Sequence, residues 1–276
     1  MISETRRAEL LALATECREL VDCVMASAEK PSGPPSSQNL LKRAVAMLTA
    51  KACDTFDGLL LLAGHGLIGE AFVLYRVLLE TFANTEFIIK HGDAGTFLFW
   101  EGTVVHLRKL RKMLEQGHMK DHWSEADTCE GIRRLGTECR EIEDALPSAF
   151  GGLPAGDALW AEGTTKRRLT WEGIRVSGRF ERAGLKPLYE TVYSIASQHV
   201  HADPAIQRSY FDPPGSQDPL VDPKMRYFED VVIWACLALI AQAGALDKAF
   251  AVGLDKHVNS YFARVRASAR KNRQTR

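Results

Sequence analysis

The fold is decided by residues 40–69, LLKRAVAMLTAKACDTFDGLLLLAGHGLIG. Leu40, Leu41, Ala44, Val45, Leu48, Ala52 and Phe56 recur at intervals of three and four and lead straight into the apolar run 59–62. That spacing puts them on one side of a helix that continues up to the glycines. Gly64, Gly66 and Gly69 match the G-x-G-x-x-G spacing of dinucleotide-binding turns, but that fingerprint needs a β-strand before it. No β-branched residue lies between Phe56 and Gly64. The segment is expected to be a helix, a glycine turn and a second helix.

The same period extends outward in both directions. Leu10, Leu13, Ala14, Cys17, Leu20, Val21 and Val24 mark a first helix, and helical spacing predicts elements near 4–28, 37–63, 68–91, 95–117, 124–145, 171–183, 186–201, 223–252 and 256–270. Nothing alternates with period two for long. The expected fold class is all-α, a helical bundle over 37–255 with an N-terminal helical appendage and Pro/Gly/Ser linker at 1–36 and a basic C-terminal helix or tail at 256–276. Pro31, Gly33, Pro34 and Pro35 separate the first two helices, and Ser36 or Ser37 offers the second an N-cap. Two long irregular connections are expected, 147–170 and 212–223, both rich in Pro and Gly.

Composition restricts the function classes. Lys plus Arg and Asp plus Glu number 35 each, so a nucleic-acid partner has to be held by a local patch. Two basic stretches qualify: His106-Leu-Arg108-Lys109-Leu-Arg111-Lys112, and the chain from Lys256 to the end, which has no acid after Asp255. The N-terminus lacks the apolar core of a signal peptide, and the uncharged stretch 231–246 is shorter than a bilayer span, so a cytoplasmic protein without a membrane anchor is expected. The six cysteines contain no C-x-x-C pair and are expected to be reduced thiols.

Two apolar segments carry polar stripes. In the first, Arg76, Glu80 and Asn84 follow one another at i, i+4 among Phe72, Val73, Leu78 and Leu79; they form either a surface ion pair or a polar pocket within the bundle. In the second, Tyr189, Tyr193, Ser197 and His201 share a stripe, while His199 projects about 200° from Ser197. Pro204 ends this helix near His201, where the C-terminal dipole favours an imidazolium. A His199-x-His201 metal site is disfavoured because these side chains diverge on a helix; no metal and no cofactor are expected.

Arg76-Val-Leu-Leu-Glu80 after a glycine turn, Trp171 leading into Arg179-Phe-Glu-Arg-Ala-Gly184-Leu185, and then Tyr189, Tyr193, Ser197 and Val200-His201 together resemble a widespread bacterial family of uncharacterised domains. That family is similar to the HEPN superfamily of helical bundles, over about residues 40–255. The resemblance implies an RNA-binding protein, a metal-independent ribonuclease of toxin–antitoxin or phage-defence systems, acting as a homodimer. Arg76 would bind phosphate, with Glu80 in the same site, and His201 would be the general base toward a ribose hydroxyl. The catalytic HEPN signature places Arg and His on one helix, separated by four to six residues. Arg111 and His118 alone meet that spacing here. The alternative is a non-catalytic helical module that senses a ligand or pairs with another protein. Homodimerisation is expected separately from apolar surface on a first helix lying outside the bundle.

Overall fold

The computed structural model describes residues 3–29, 35–118, 122–151, 171, 173–200 and 227–273, without the side chains of 198–200 and 271–273. Among the described residues every regular element is helical and no strand occurs. In chain order the elements are α1 (Glu4–Ser27), α2 (Ser37–Gly64), α3 (Ile68–Glu115), α4 (Glu125–Phe150), α5 (Val176–Ala183), α6 (Lys186–Leu188), a π-helical turn (Tyr189–Tyr193), α7 (Ser194–Val200), α8 (Phe228–Phe250) and α9 (Asp255–Arg273). The fold class is all-α, as the periodicity implies.

Local chemistry explains most boundaries. Ser3 and Ser124 cap α1 and α4 by accepting hydrogen bonds from Arg6 N and Asp127 N, and Ser36 Oγ accepts from Asn39 N at the start of α2. The glycine triplet forms the expected turn. Gly66 has φ 76°, and the Leu67 N–H reaches back to the Leu62 carbonyl at 2.9 Å, closing α2 and opening α3. No strand precedes the glycines. The helices expected at 68–91 and 95–117 are the two limbs of α3, which break at Gly92 with φ 52° and ψ −123°, a conformation open to glycine. The element expected from 171 begins later, at Val176.

The chain divides into two compact units: one comprises 1–30, 45–86 and 179–276, the other 31–44 and 87–178. Helices α1 and α9 both belong to the first unit. There α8 packs against α1 and α9, and α1 buries Leu10, Ala14, Cys17, Leu20, Val21 and Val24. The apolar face of α1 on which the homodimer expectation rested is thus covered within the chain.

Helix α8 is the centre of that unit. It extends past the uncharged stretch at both ends and, with mean hydropathy 1.6 in its most apolar window, is long and apolar enough to cross a membrane; 72% of that window is buried inside the structure. Its polar groups are anchored internally. Glu229, 6% exposed, meets the Arg6 guanidinium of α1 at 3.0 Å. Gln242 donates to Thr49 Oγ1 and Thr85 Oγ1 at 2.8 and 3.1 Å, tying α8 to α2 and α3. Asp247 accepts from Leu254 N at 2.9 Å and holds the turn into α9.

In the second unit, Trp100 donates to the Leu40 carbonyl at 3.0 Å, and Trp171 sits edge-on to Phe87 and Phe99. The far limb of α3 and α4 form a hairpin in which Leu114 lies beside Gly131, Arg111 beside Gly136, and Arg108 pairs with Glu143. All six cysteines are free thiols.

Candidate functional site

Arg76 and Glu80 are one turn apart on the near limb of α3, and the apolar neighbours Phe72, Leu78 and Leu79 are buried around them. The π-helical turn brings Tyr193 to the pair, both partners belonging to the first unit. The Tyr193 hydroxyl donates to Glu80 Oε1 at 2.6 Å, and Arg76 Nε–H is shared between Glu80 Oε1 at 3.0 Å and Tyr193 Oη at 2.9 Å. The Arg76 guanidinium also lies 5.2 Å from the centre of the Tyr193 ring. A carboxylate, a guanidinium and a phenol therefore form a closed three-way cluster.

Its aromatic support explains why Tyr193 is so well held. Tyr189 stacks on Tyr193 at 4.9 Å with a 20° interplanar angle, and Phe180 of α5 packs against both rings at 5.4 and 5.2 Å. Tyr193 is 4% exposed and Phe180 is fully buried. Gly184, with φ 84°, lets the chain turn so that Leu185 N reaches the Phe180 carbonyl at 2.7 Å, which sets α5 against the following helix.

The electrostatics follow from burial and pairing. Burial pushes the Tyr193 phenol up to about 12, and its hydrogen bond to Glu80 adds to the rise. The phenol stays protonated and acts as a donor. For Arg76 burial works downward, but the hydrogen bonds to Glu80 and Tyr193 outweigh it and the guanidinium pKa is raised. Arg179 of α5 stands within electrostatic reach of both Glu80 and Tyr193, yet burial dominates and lowers its pKa. The four groups place two guanidiniums against one carboxylate.

Of the residues expected to form the site, Arg76, Glu80 and Tyr193 come together. Ser197 lies one turn beyond Tyr193 on α7 and is half-buried. His201, the expected general base, lies outside the described residues, as does the side chain of His199. Arg179 joins these residues from α5; it opens the Arg179-Phe180 motif, but nothing local in the sequence signals that it comes within electrostatic reach of Glu80.

The pairing of Arg111 with His118 on one helix does not form. Helix α3 ends at Glu115, Gly117 takes φ 74°, and His118 N–H reaches the Met113 carbonyl at 3.1 Å, so the histidine follows the helix-terminating turn. Arg111 instead bonds Glu115 Oε1 at 2.8 Å, and His118 contacts Gln116 at 3.3 Å. Among the described residues no three His, Cys, Asp or Glu side chains converge as metal ligands do.

The two basic stretches differ in their surroundings. The stretch 106–112 runs beside α4, which carries seven carboxylates against three arginines, and Arg108 and Arg111 are paired with Glu143 and Glu115. Helix α9 carries six Lys or Arg and one acid, Asp255. Val258 and Val265 anchor it while Lys256, His257, Arg264, Arg266 and Arg270 are exposed. Arg264 pairs with Glu16 of α1. Among the described residues Lys256, Arg266 and Arg270 meet no carboxylate.

A family model described as "Family of unknown function (DUF5677)" matches residues 42–218, which include Arg76, Glu80, Arg179, Tyr193 and His201. No curated protein and no solved structure matches the chain.

Proposed function

Because the chain belongs to DUF5677, a family described by no activity, we propose a function from the chain's own charge geometry: it binds RNA through the outward face of α9. The observation that carries this reading is the excess of positive charge on that face, where Lys256, Arg266 and Arg270 are exposed and meet no carboxylate among the described residues, with Asp255 in the first turn as the one acid of the helix, in a chain whose total charge is balanced. A row of cations on one helix face neutralises successive phosphates and releases their counterions. The resemblance to the HEPN superfamily supports RNA as the polyanion.

In this reading the Arg76–Glu80–Tyr193 cluster fastens the helix that leads toward His201. Tyr193 holds α3 by its hydroxyl and α5 through Phe180, so the direction of α7 is set at its start. Ribonuclease activity would need His201 as the base toward a 2′-hydroxyl and a cation near the phosphate.

The test titrates purified full-length protein into labelled RNA at increasing salt, in EDTA, and follows binding and RNA integrity together. Affinity falling steeply with salt, and lost when Lys256, Arg266 and Arg270 are changed together to Gln, is the expected result. Salt-insensitive binding, or no binding, removes the proposal. Cleavage by the parent that disappears in His201→Ala adds the enzymatic step; intact RNA with salt-sensitive binding leaves a binding protein.

A further inference from the structure

Helix α9 presents two unlike flanks on either side of its buried line Val258–Val265. At about 100° per residue, Tyr261, Arg264 and His257 fall on one flank, and Phe262, Arg266, Arg270 and Asn259 on the other, together with Asp255 in the first turn of the helix. The first flank is engaged within the chain, since Arg264 is paired with Glu16 and its guanidinium lies 5.0 Å from the Tyr261 ring centre. The second is open. Phe262, Arg266 and Arg270 follow at i, i+4, i+8; Phe262 is half-buried, and both arginines are exposed and meet no carboxylate among the described residues. The Arg266 guanidinium lies 5.8 Å from the centre of the Phe262 ring.

An aromatic ring, a planar cation against it and a second cation one turn further suit a strand whose bases are unstacked from a partner. Every base has a face that can stack on an aromatic ring or a guanidinium plane, whereas in a duplex those faces are already used. A site made of phosphate contacts alone would favour the duplex, whose phosphates are more densely spaced. Resting on the RNA-binding reading, we infer that the Phe262–Arg266–Arg270 flank of α9 is a binding step for single-stranded RNA. One base stacks against Phe262 and Arg266, and Arg270 holds the adjoining phosphate. Phe262 is half-buried and so keeps part of its ring within reach of a base, and Arg266 can lift from the ring to cover that base without losing its charge.

The experiment measures fluorescence anisotropy of the full-length protein with a labelled oligouridine of about twelve nucleotides and with an RNA duplex of the same length. Single-strand affinity is expected to exceed duplex affinity. Phe262→Leu, which keeps an apolar side chain, should weaken single-strand binding about tenfold without changing the salt slope. Arg266→Lys retains the charge, sits on the surface and should have the same effect, so the result does not depend on how Phe262→Leu folds. Arg270→Gln should lower the slope by about 0.7. Duplex affinity equal to or above single-strand affinity, with Phe262→Leu and Arg266→Lys at parental strength, overturns the stacking step and leaves RNA binding standing. Absence of salt-sensitive binding to either RNA overturns both.

Discussion

Tyr193 illustrates how one hydroxyl can organise a polar cluster. Its O–H is committed to Glu80 and its oxygen accepts from Arg76, so Tyr193→Phe leaves two charged groups with one partner fewer. Hydrogen bonds to charged groups contribute about 1.5–3 kcal/mol, and the variant should lose stability in that range at neutral pH in urea unfolding. The pH dependence has a definite sign. Because the folded phenol titrates at about 12 rather than the ordinary 10, its contribution is complete below about pH 10 and lost as pH rises through 12. The stability gap between parent and Tyr193→Phe should narrow across that window; a constant gap would show that the phenol is not held. Ala251 makes the opposite case. It ends α8 in the left-handed region at φ 54°, where a β-carbon is strained, so Ala251→Gly should raise stability by about 1 kcal/mol in the same assay.

At the scale of elements, close approach decides which glycines are replaceable. Gly136 of α4 faces the flexible end of Arg111, with a built β-carbon 3.1 Å from its Nη1, and Arg111 can move aside. Gly136→Ala should gain up to about 1 kcal/mol of helix propensity. Gly102 of α3 faces the rigid root of Trp171, where the same carbon would lie 2.7 Å from Cβ and 2.9 Å from Cγ. Trp171 is wedged between Phe87 and Phe99, so Gly102→Ala should cost about 1–3 kcal/mol despite its better propensity, and thermal melting should order the variants Gly136→Ala, parent, Gly102→Ala. The contact of α1 with α8 depends in a similar way on one pair. Arg6→Ala leaves Glu229 buried without its cation and should cost about 2–3 kcal/mol, against about 1 kcal/mol for the isosteric Glu229→Gln.

Over the whole molecule the balanced charge conceals an uneven distribution. The cations of 106–112 lie along the acidic α4, while Lys256, Arg266 and Arg270 of α9 are exposed and meet no carboxylate among the described residues. RNA affinity measured against salt should therefore respond to α9 alone. Lys256→Gln, Arg266→Gln and Arg270→Gln together should reduce the slope by about 2, whereas Lys109→Gln with Lys112→Gln should leave it unchanged. A larger effect from the second pair would move the interface to the α3–α4 hairpin.

The sequence by itself determined the helices and the turn at Gly64 and Gly66, because periodicity, capping and glycine chemistry act between residues at most a few positions apart. The pairing of Arg76 with Glu80 was legible for the same reason, being i, i+4 on one helix. Tyr193 could be placed on a polar stripe, but its bond to Glu80, 113 residues away, could not. The π-helical turn, the approach of Arg179 and the incorporation of α1 into the first unit are likewise products of the path of the chain. So is the fate of the charges: Arg264 finds Glu16 across 248 residues and Arg108 finds Glu143 across 35, while Arg266 and Arg270 meet no carboxylate among the described residues. Spacing along a helix says which side chains share a face, but whether that face meets a carboxylate, an aromatic ring or solvent is set by the element packed against it, and only the tertiary structure supplies that element.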